Sequence, residues 1–173
     1  MGSGATYGDL RSLRILIVDD NSQVRTILGS VLNGAGVAHI HYAPTGAEGL
    51  KAVMSTPIDV AYVDYDMPGV NGLEFISEVR ESERDFRMLP IIMVTGHSDM
   101  TRLMAARDRG VTEFLRKPVT AKSILDRLNS VVFHPRPFVK SPTYFGPDRR
   151  RKRATPYPGK ERRRGGNGGE VRL

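Results

Sequence analysis

Five short apolar runs alternate with five stretches of helical period between residues 13 and 133, and this alternation constrains the chain more than any other feature. Ile15-Leu16-Ile17-Val18 is a continuous β-branched and Leu run, as expected of a strand buried on both faces. From Ser22 to Asn33 the apolar residues Val24, Ile27, Leu28, Val31 and Leu32 recur at steps that define one helical face. Asn21 or Ser22 can cap that helix, and Gly34 can end it. The same reading predicts strands over 37–42, 59–63, 90–95 and 112–115. It predicts helices over 45–55, 71–83, 98–109 and 120–133. Strands and helices in strict alternation, with short connections, imply parallel strands joined by right-handed crossovers. The expected fold is α/β, a doubly wound sheet with helices on both faces.

The polar residues that close these runs carry the chemistry. Asp64 ends Val60-Ala61-Tyr62-Val63 and opens Asp64-Tyr65-Asp66-Met67-Pro68-Gly69-Val70-Asn71-Gly72. Asp19 and Asp20 follow the first run, Thr95 ends the fourth, and Lys117 lies just past Glu113-Phe114-Leu115 and precedes Pro118. In a doubly wound sheet, ligands sit at the carboxyl ends of the strands near the switch in strand order, and all five residues fall on that edge. Taken alone, Asp19-Asp20 reads equally as a helix cap and Lys117-Pro118 as a turn.

In this order and near this spacing, the Asp-Asp pair, the Asp-x-x-Met-Pro-x-x-x-Gly block, the Thr-Gly pair and the Lys-Pro pair resemble the receiver domain of two-component response regulators. The resemblance spans roughly residues 12–133. It implies a flavodoxin-like sheet of order 2-1-3-4-5, and an Asp64 that accepts a phosphoryl group from a histidine kinase, a histidine phosphotransfer protein or a small phosphodonor. Crowded carboxylates repel, and a divalent cation relieves that. Mg2+ takes oxygen ligands, usually one or two carboxylates with waters and phosphate oxygens. Asp20 and Asp64 are the expected direct ligands, Asp19 acts through water, and the resemblance adds the backbone carbonyl of Asp66. Lys117 and the cation stabilise the transferring group's charge. Thr95 is then a switch hydroxyl, and the resemblance makes Phe114 a switch ring that reshapes the face of helix 4, strand 5 and helix 5 for an output protein. Asp66 and His97 lie where such proteins tune phosphoryl lifetime. The chain is read as no enzyme beyond accepting and slowly losing its own phosphoryl group. An inactive pseudo-receiver is the bland rival, and the intact set Asp19, Asp20, Asp64, Thr95 and Lys117 argues against it.

Charge divides the chain. Residues 1–133 hold 14 Lys/Arg against 16 Asp/Glu, net −2, whereas residues 134–173 hold 12 against 3, net +9. The last 40 residues also contain 6 Pro and 6 Gly, a composition expected to stay disordered. The expected organisation is a flexible leader over 1–12, a receiver over 13–133 and a disordered basic tail over 134–173. The clusters Arg149-Arg150-Arg151-Lys152-Arg153 and Arg162-Arg163-Arg164 suggest a second reading. In it, the receiver regulates a tail that binds nucleic acid or an anionic surface by counterion release. The chain lacks cysteine, which suits a reducing cytoplasm and excludes thiolate chemistry. No apolar run approaches the length of a membrane span.

Overall fold

The computed structural model describes residues 10–96, 99–150 and 171–172. Strands β1 (Arg14–Val18), β2 (His39–Ala43), β3 (Val60–Asp64), β4 (Ile91–Thr95) and β5 (Glu113–Arg116) alternate with helices α1 (Ser22–Gly34), α2 (Gly46–Ser55), α3 (Gly72–Glu81), α4 (Met100–Asp108) and α5 (Ala121–Phe133). The strands form one parallel sheet in the order β2-β1-β3-β4-β5. Every residue of β3 and β4 is buried, which is why both read as unbroken apolar runs.

Successive side chains point to opposite faces of the sheet, so the sheet feeds two cores. Leu16, Val18, Ala61, Val63, Ile91 and Met93 pack with Phe75, Ile76 and Val79 of α3. Ile15, Ile17, Tyr62, Ile92, Val94 and Leu115 pack with Leu28 and Leu32 of α1 and Ile124 and Leu128 of α5. The Tyr62 hydroxyl, deep in the second core, donates to the Ile124 carbonyl at 3.0 Å, which satisfies the one polar atom that burial would orphan.

Helix starts follow the capping chemistry. Asn21 accepts from the Gln23 and Val24 amides. Asn71 with Glu74 and Thr120 with Ser123 form reciprocal capping boxes. At α3 the fit is tight, since a Cβ on Gly72 would lie 2.6 Å from the Asp64 carbonyl oxygen. Glycine there lets α3 begin directly beneath the end of β3. Boundaries move by a few residues from the expected ones: α4 starts at Met100, capped by Asp99, and β2 is His39–Ala43.

Two expectations about domain boundaries need correction. Leu10–Ser12 form a 3-10 turn, and Leu10 is buried in the α1/α5 core, so these residues belong to the domain rather than to a leader. The segment after α5 is also not uniformly disordered. Strands β6 (Phe138–Ser141) and β7 (Tyr144–Pro147) make an antiparallel hairpin, and β8 (Val171–Arg172) pairs on the other side of β6. Phe138, Val139 and Tyr144 are buried. The hairpin packs beside the C-terminal end of α3 and the turn before β5, where the Gly146 and Gly110 backbones meet. Gly110 has φ +94, a left-handed conformation that favours glycine.

Arg80 of α3 pins this contact. It is 4% exposed, donates from Nε to the Gly110 carbonyl at 3.0 Å and from Nη1 to the Arg87 carbonyl at 2.7 Å, and lies 5.1 Å from the Phe138 ring centre. Averaging composition over 40 residues concealed a short segment with apolar anchors and a turn.

Candidate functional site

Asp19 and Asp64 are almost fully buried at the carboxyl ends of β1 and β3, and Asp20 beside them is exposed. One carboxylate oxygen from each lies within 4.8 Å of the others. The Lys117 ammonium, on the loop after β5, donates to Asp64 Oδ1 at 2.8 Å and stands 3.4 Å from Asp19 Oδ2. The peptide bond between Lys117 and Pro118 is cis. The Lys117 amide donates to the Thr95 carbonyl at 2.8 Å, so the ends of β4 and β5 hold each other. Thr95 is buried at the same edge.

Asp19 is fixed from its own side of the site. Its Oδ1 accepts from the Asn21 amide at 2.8 Å, and its backbone carbonyl accepts from Arg25 Nη1 at 2.6 Å. Its Oδ2 is buried and has no hydrogen bond, since the contact with Lys117 is at ion-pair distance without hydrogen-bond geometry.

Burial raises the Asp64 pKa to about 6. The Lys117 hydrogen bond opposes the rise, and the charges of Asp19 and Asp20 add to it. For Lys117, burial alone lowers the pKa, but the hydrogen bond and charge of Asp64, with Asp19 behind, outweigh it and the net shift is upward. Three acids facing one amine leave the pocket with excess negative charge, and a buried carboxylate oxygen lacks a donor. Those two features fit a divalent cation with oxygen ligands.

A raised carboxyl pKa makes the folded state hold a proton that the unfolded state releases between about pH 4 and 6, so Asp64 costs stability above that window. We expect Asp64→Asn, in chelator at pH 7, to be on the order of 2 kcal/mol more stable than the parent chain. The difference should shrink as pH falls from about 6 to about 4 and be lost below that. Urea melts at the two pH values check this, and an equal or lower midpoint for Asp64→Asn at pH 7 would refute it.

The other expected residues are distributed as follows. Phe114 is half-buried on β5 and packs against the core that α3 shares, opposite Met93. Asp66 lies on the loop after β3, more than half exposed, and accepts from Arg102 Nη1 at 3.1 and 3.4 Å. Arg102 also lies 5.3 Å from the Tyr65 ring centre, so one α4 side chain grips two residues of the site's loop. Sequence reading missed Arg102, because α4 has almost no apolar face to orient it: only Ala106 is buried.

Arg149, the first residue of the basic cluster, is engaged within the described residues. It pairs with Asp108 at 2.7 Å and lies 4.2 Å from the Tyr144 ring centre. Arg150 donates its amide to Asp148. His97, Arg151, Lys152, Arg153, Arg162, Arg163 and Arg164 lie outside the described residues.

A doubly wound sheet of this order, with acids, a hydroxyl and an amine on its carboxyl edge, defines the class of flavodoxin-like α/β proteins with an acidic site. Within that class the chain belongs to the response regulator receiver domain family, which it matches over residues 15–129. It is 31% identical over 119 residues to the chemotaxis protein CheY of Pseudomonas aeruginosa, covering 69% of this chain and 95% of that protein. It is 35% identical over 115 residues to the CAI-1 autoinducer sensor kinase/phosphatase CqsS of Vibrio cholerae, covering 66% of this chain but only 17% of that longer protein. Among solved structures, the Vibrio cholerae chemotaxis protein CheY4 superposes with a TM-score of 0.65 at 28% identity, covering 69% of this chain and 98% of that one. The chain is thus a receiver of the phospho-accepting, two-component type. No helix among the described residues is long and apolar enough to cross a membrane.

Proposed function

We propose that Asp64 is the phosphoacceptor of this receiver and that Lys117 and Thr95 read out its modification. The observation that carries the proposal is the buried Asp64 carboxylate held at 2.8 Å by the Lys117 ammonium, at the carboxyl edge of the sheet. An Asp64 oxygen attacks the phosphorus of a phosphohistidine on a sensor kinase or histidine phosphotransfer protein. The new O–P bond forms as the P–N bond breaks, and the imidazole nitrogen keeps the electron pair. Asp20 and Asp64 would hold Mg2+, with Asp19 through water and the Asp66 carbonyl. When bound, Mg2+ supplies charge stabilisation on the phosphoryl oxygens. Lys117 does the same from the protein side, and its hydrogen bond to Asp64 turns toward the added oxygens.

The added charge biases the ends of β4 and β5. Thr95 and Lys117 are the groups placed to answer it, and Phe114 lies on the neighbouring strand, two register positions from Thr95. The α4 helix is suited to move, because it buries only Ala106 and exposes Met100 and Met104. A reshaped surface of α4, β5 and α5 is then the binding face for an output protein. The test is intact mass after incubation with a small phosphodonor. One phosphoryl adduct should form with Mg2+ and none with excess chelator, and an adduct insensitive to chelator would sink the metal assignment.

The Arg102 grip on Asp66 should tune how long the adduct lasts. An exposed ion pair contributes about 0.2–1 kcal/mol. Arg102→Ala should therefore leave the melting temperature almost unchanged and alter phosphoryl lifetime by no more than about five-fold. Decay of the adduct followed by mass, wild type beside Arg102→Ala and Arg102→Lys, checks this. Identical decay in all three would remove Arg102 from the site.

A further inference from the structure

At the opposite edge of the sheet, where β4 and β5 begin, the hairpin closes one side of a cleft of about 330 Å³. Strands of five residues at ~3.3 Å rise put this cleft roughly 15 Å from the acidic site. Arg80, Arg87, Arg109 and Lys140 line it, with Ser77 and Thr143 contributing hydroxyls. Its acids are Glu81 and Asp108, and Asp108 is engaged by Arg149 and Arg107.

Among the described residues no carboxylate pairs with Arg80, Arg87, Arg109 or Lys140. Arg80 Nη2 and Arg87 Nε are buried without a hydrogen-bond partner. The Arg87 guanidinium stacks over the Phe145 ring at 3.7 Å, which occupies its face and leaves its N–H edge available. Arg109 spends one N–H on the Ser77 hydroxyl. Arg80 sits directly behind, bonded to the Arg87 carbonyl. Burial, and further the nearby Arg87 charge, depress the Arg80 pKa to about 9, with Tyr144 opposing. Two uncompensated guanidiniums held together in this way lack an anion.

We infer that this cleft is an anion site for the phosphate group of a small phosphorylated ligand, with Arg87, Arg109 and Lys140 as its direct donors and Arg80 as the buried charge behind them. Arginine edges suit phosphate because two N–H groups can meet two oxygens. A nucleic acid backbone is the poorer fit. It needs an extended track of cations, whereas this cleft is local, partly walled by Glu81, and set on a domain whose first 133 residues carry net −2. The inference does not depend on Asp64, which lies at the other edge.

The test is a titration of the full, 15N-labelled chain in chloride buffer, following backbone amides of Gly110 and of residues 140–146. Inorganic phosphate, glucose 6-phosphate and ADP are added in separate arms, each against sodium chloride of matched ionic strength. Saturable shifts confined to those amides are expected in at least one phosphate arm, and the tightest arm identifies whether the free ion, a sugar ester or a nucleotide is the source. Lys140→Ala, an exposed position that leaves the hairpin contacts intact, and Arg87→Gln should each weaken binding about ten-fold or more. Shifts reproduced by chloride, an absence of saturation in every arm, or unchanged affinity in Lys140→Ala would each overturn the site.

Discussion

Asp64→Asn should abolish phosphoryl acceptance from a small phosphodonor, lowering the rate by on the order of a thousand-fold or more, while leaving the chain folded. The substituted amide keeps the shape of the side chain but loses the nucleophilic oxygen and one negative charge. Asp64 is buried at the end of β3 with Lys117 at 2.8 Å, and among the described residues no other carboxylate is similarly placed against that ammonium. Asp19 Oδ2 is farther, at 3.4 Å, and its other oxygen is tied to the Asn21 amide. Asp20 is exposed, and its carboxylate lies with those of Asp19 and Asp64 in a cluster that could hold a metal ion. Intact mass with donor and Mg2+ decides the matter. A persistent adduct in Asp64→Asn, mapped by peptide analysis to Asp19 or Asp20, would move the acceptor role to that residue. Asp20→Asn should instead weaken Mg2+ dependence while still allowing slow modification of Asp64. Lys117→Ala should accept phosphate and fail to transmit it, since Lys117 is the group that ties Asp64 to the loop after β5.

The acidic edge was legible in the sequence because the sheet is buried on both faces. A strand such as Val60–Asp64 has no solvent face to interrupt it, so the first polar residue after the apolar run marks the strand's end. Asp64, Thr95 and the Asp19-Asp20 pair are each such a residue, and a parallel sheet brings all their ends to one edge. Lys117 was not marked in that way, since Arg116 is the first polar residue after Phe114-Leu115; the pair Lys117-Pro118 singled it out. The signal failed where pattern and packing separate. Arg80 lies on the α3 stripe with Phe75, Ile76 and Val79, but a charge there reads as solvated. A hairpin 58 residues later in the chain lies against it, and local periodicity carries nothing about that. Arg102 was invisible for the converse reason: α4 has no apolar stripe from which to infer the direction of its other side chains. Phe138-Val139 and Tyr144-Phe145 flanking Ser141-Pro142-Thr143 did carry a strand-turn-strand signal. The Pro, Gly and Arg content of the surrounding 40 residues masked it.

Cutting the chain after residue 133 should therefore destabilise the receiver rather than merely remove an appendage. Phe138, Val139 and Tyr144 are each buried, and the aromatic rings of Phe138 and Phe145 receive Arg80 and Arg87 at 5.1 and 3.7 Å. Without the hairpin, Arg80 keeps its carbonyl partners on Gly110 and Arg87, but both guanidiniums lose their rings. Partly desolvated cation–ring contacts contribute about 0.5–2 kcal/mol each. Local detachment limits the cost of any single change: Phe138→Ala cannot lose more than the free energy with which the whole hairpin docks, because beyond that the hairpin simply lets go. Truncation at 133 measures that limit directly, and truncation at 150 keeps β6 and β7. We expect the 1–133 chain to melt roughly 10 °C below the 1–150 chain, corresponding to about 2–3 kcal/mol. Phe138→Ala in the 1–150 chain should fall between them. Equal melting temperatures for 1–133 and 1–150 would mean that the hairpin docks without stabilising the domain. A Phe138→Ala midpoint below that of the 1–133 chain would mean that the displaced hairpin interferes with the receiver instead of releasing it.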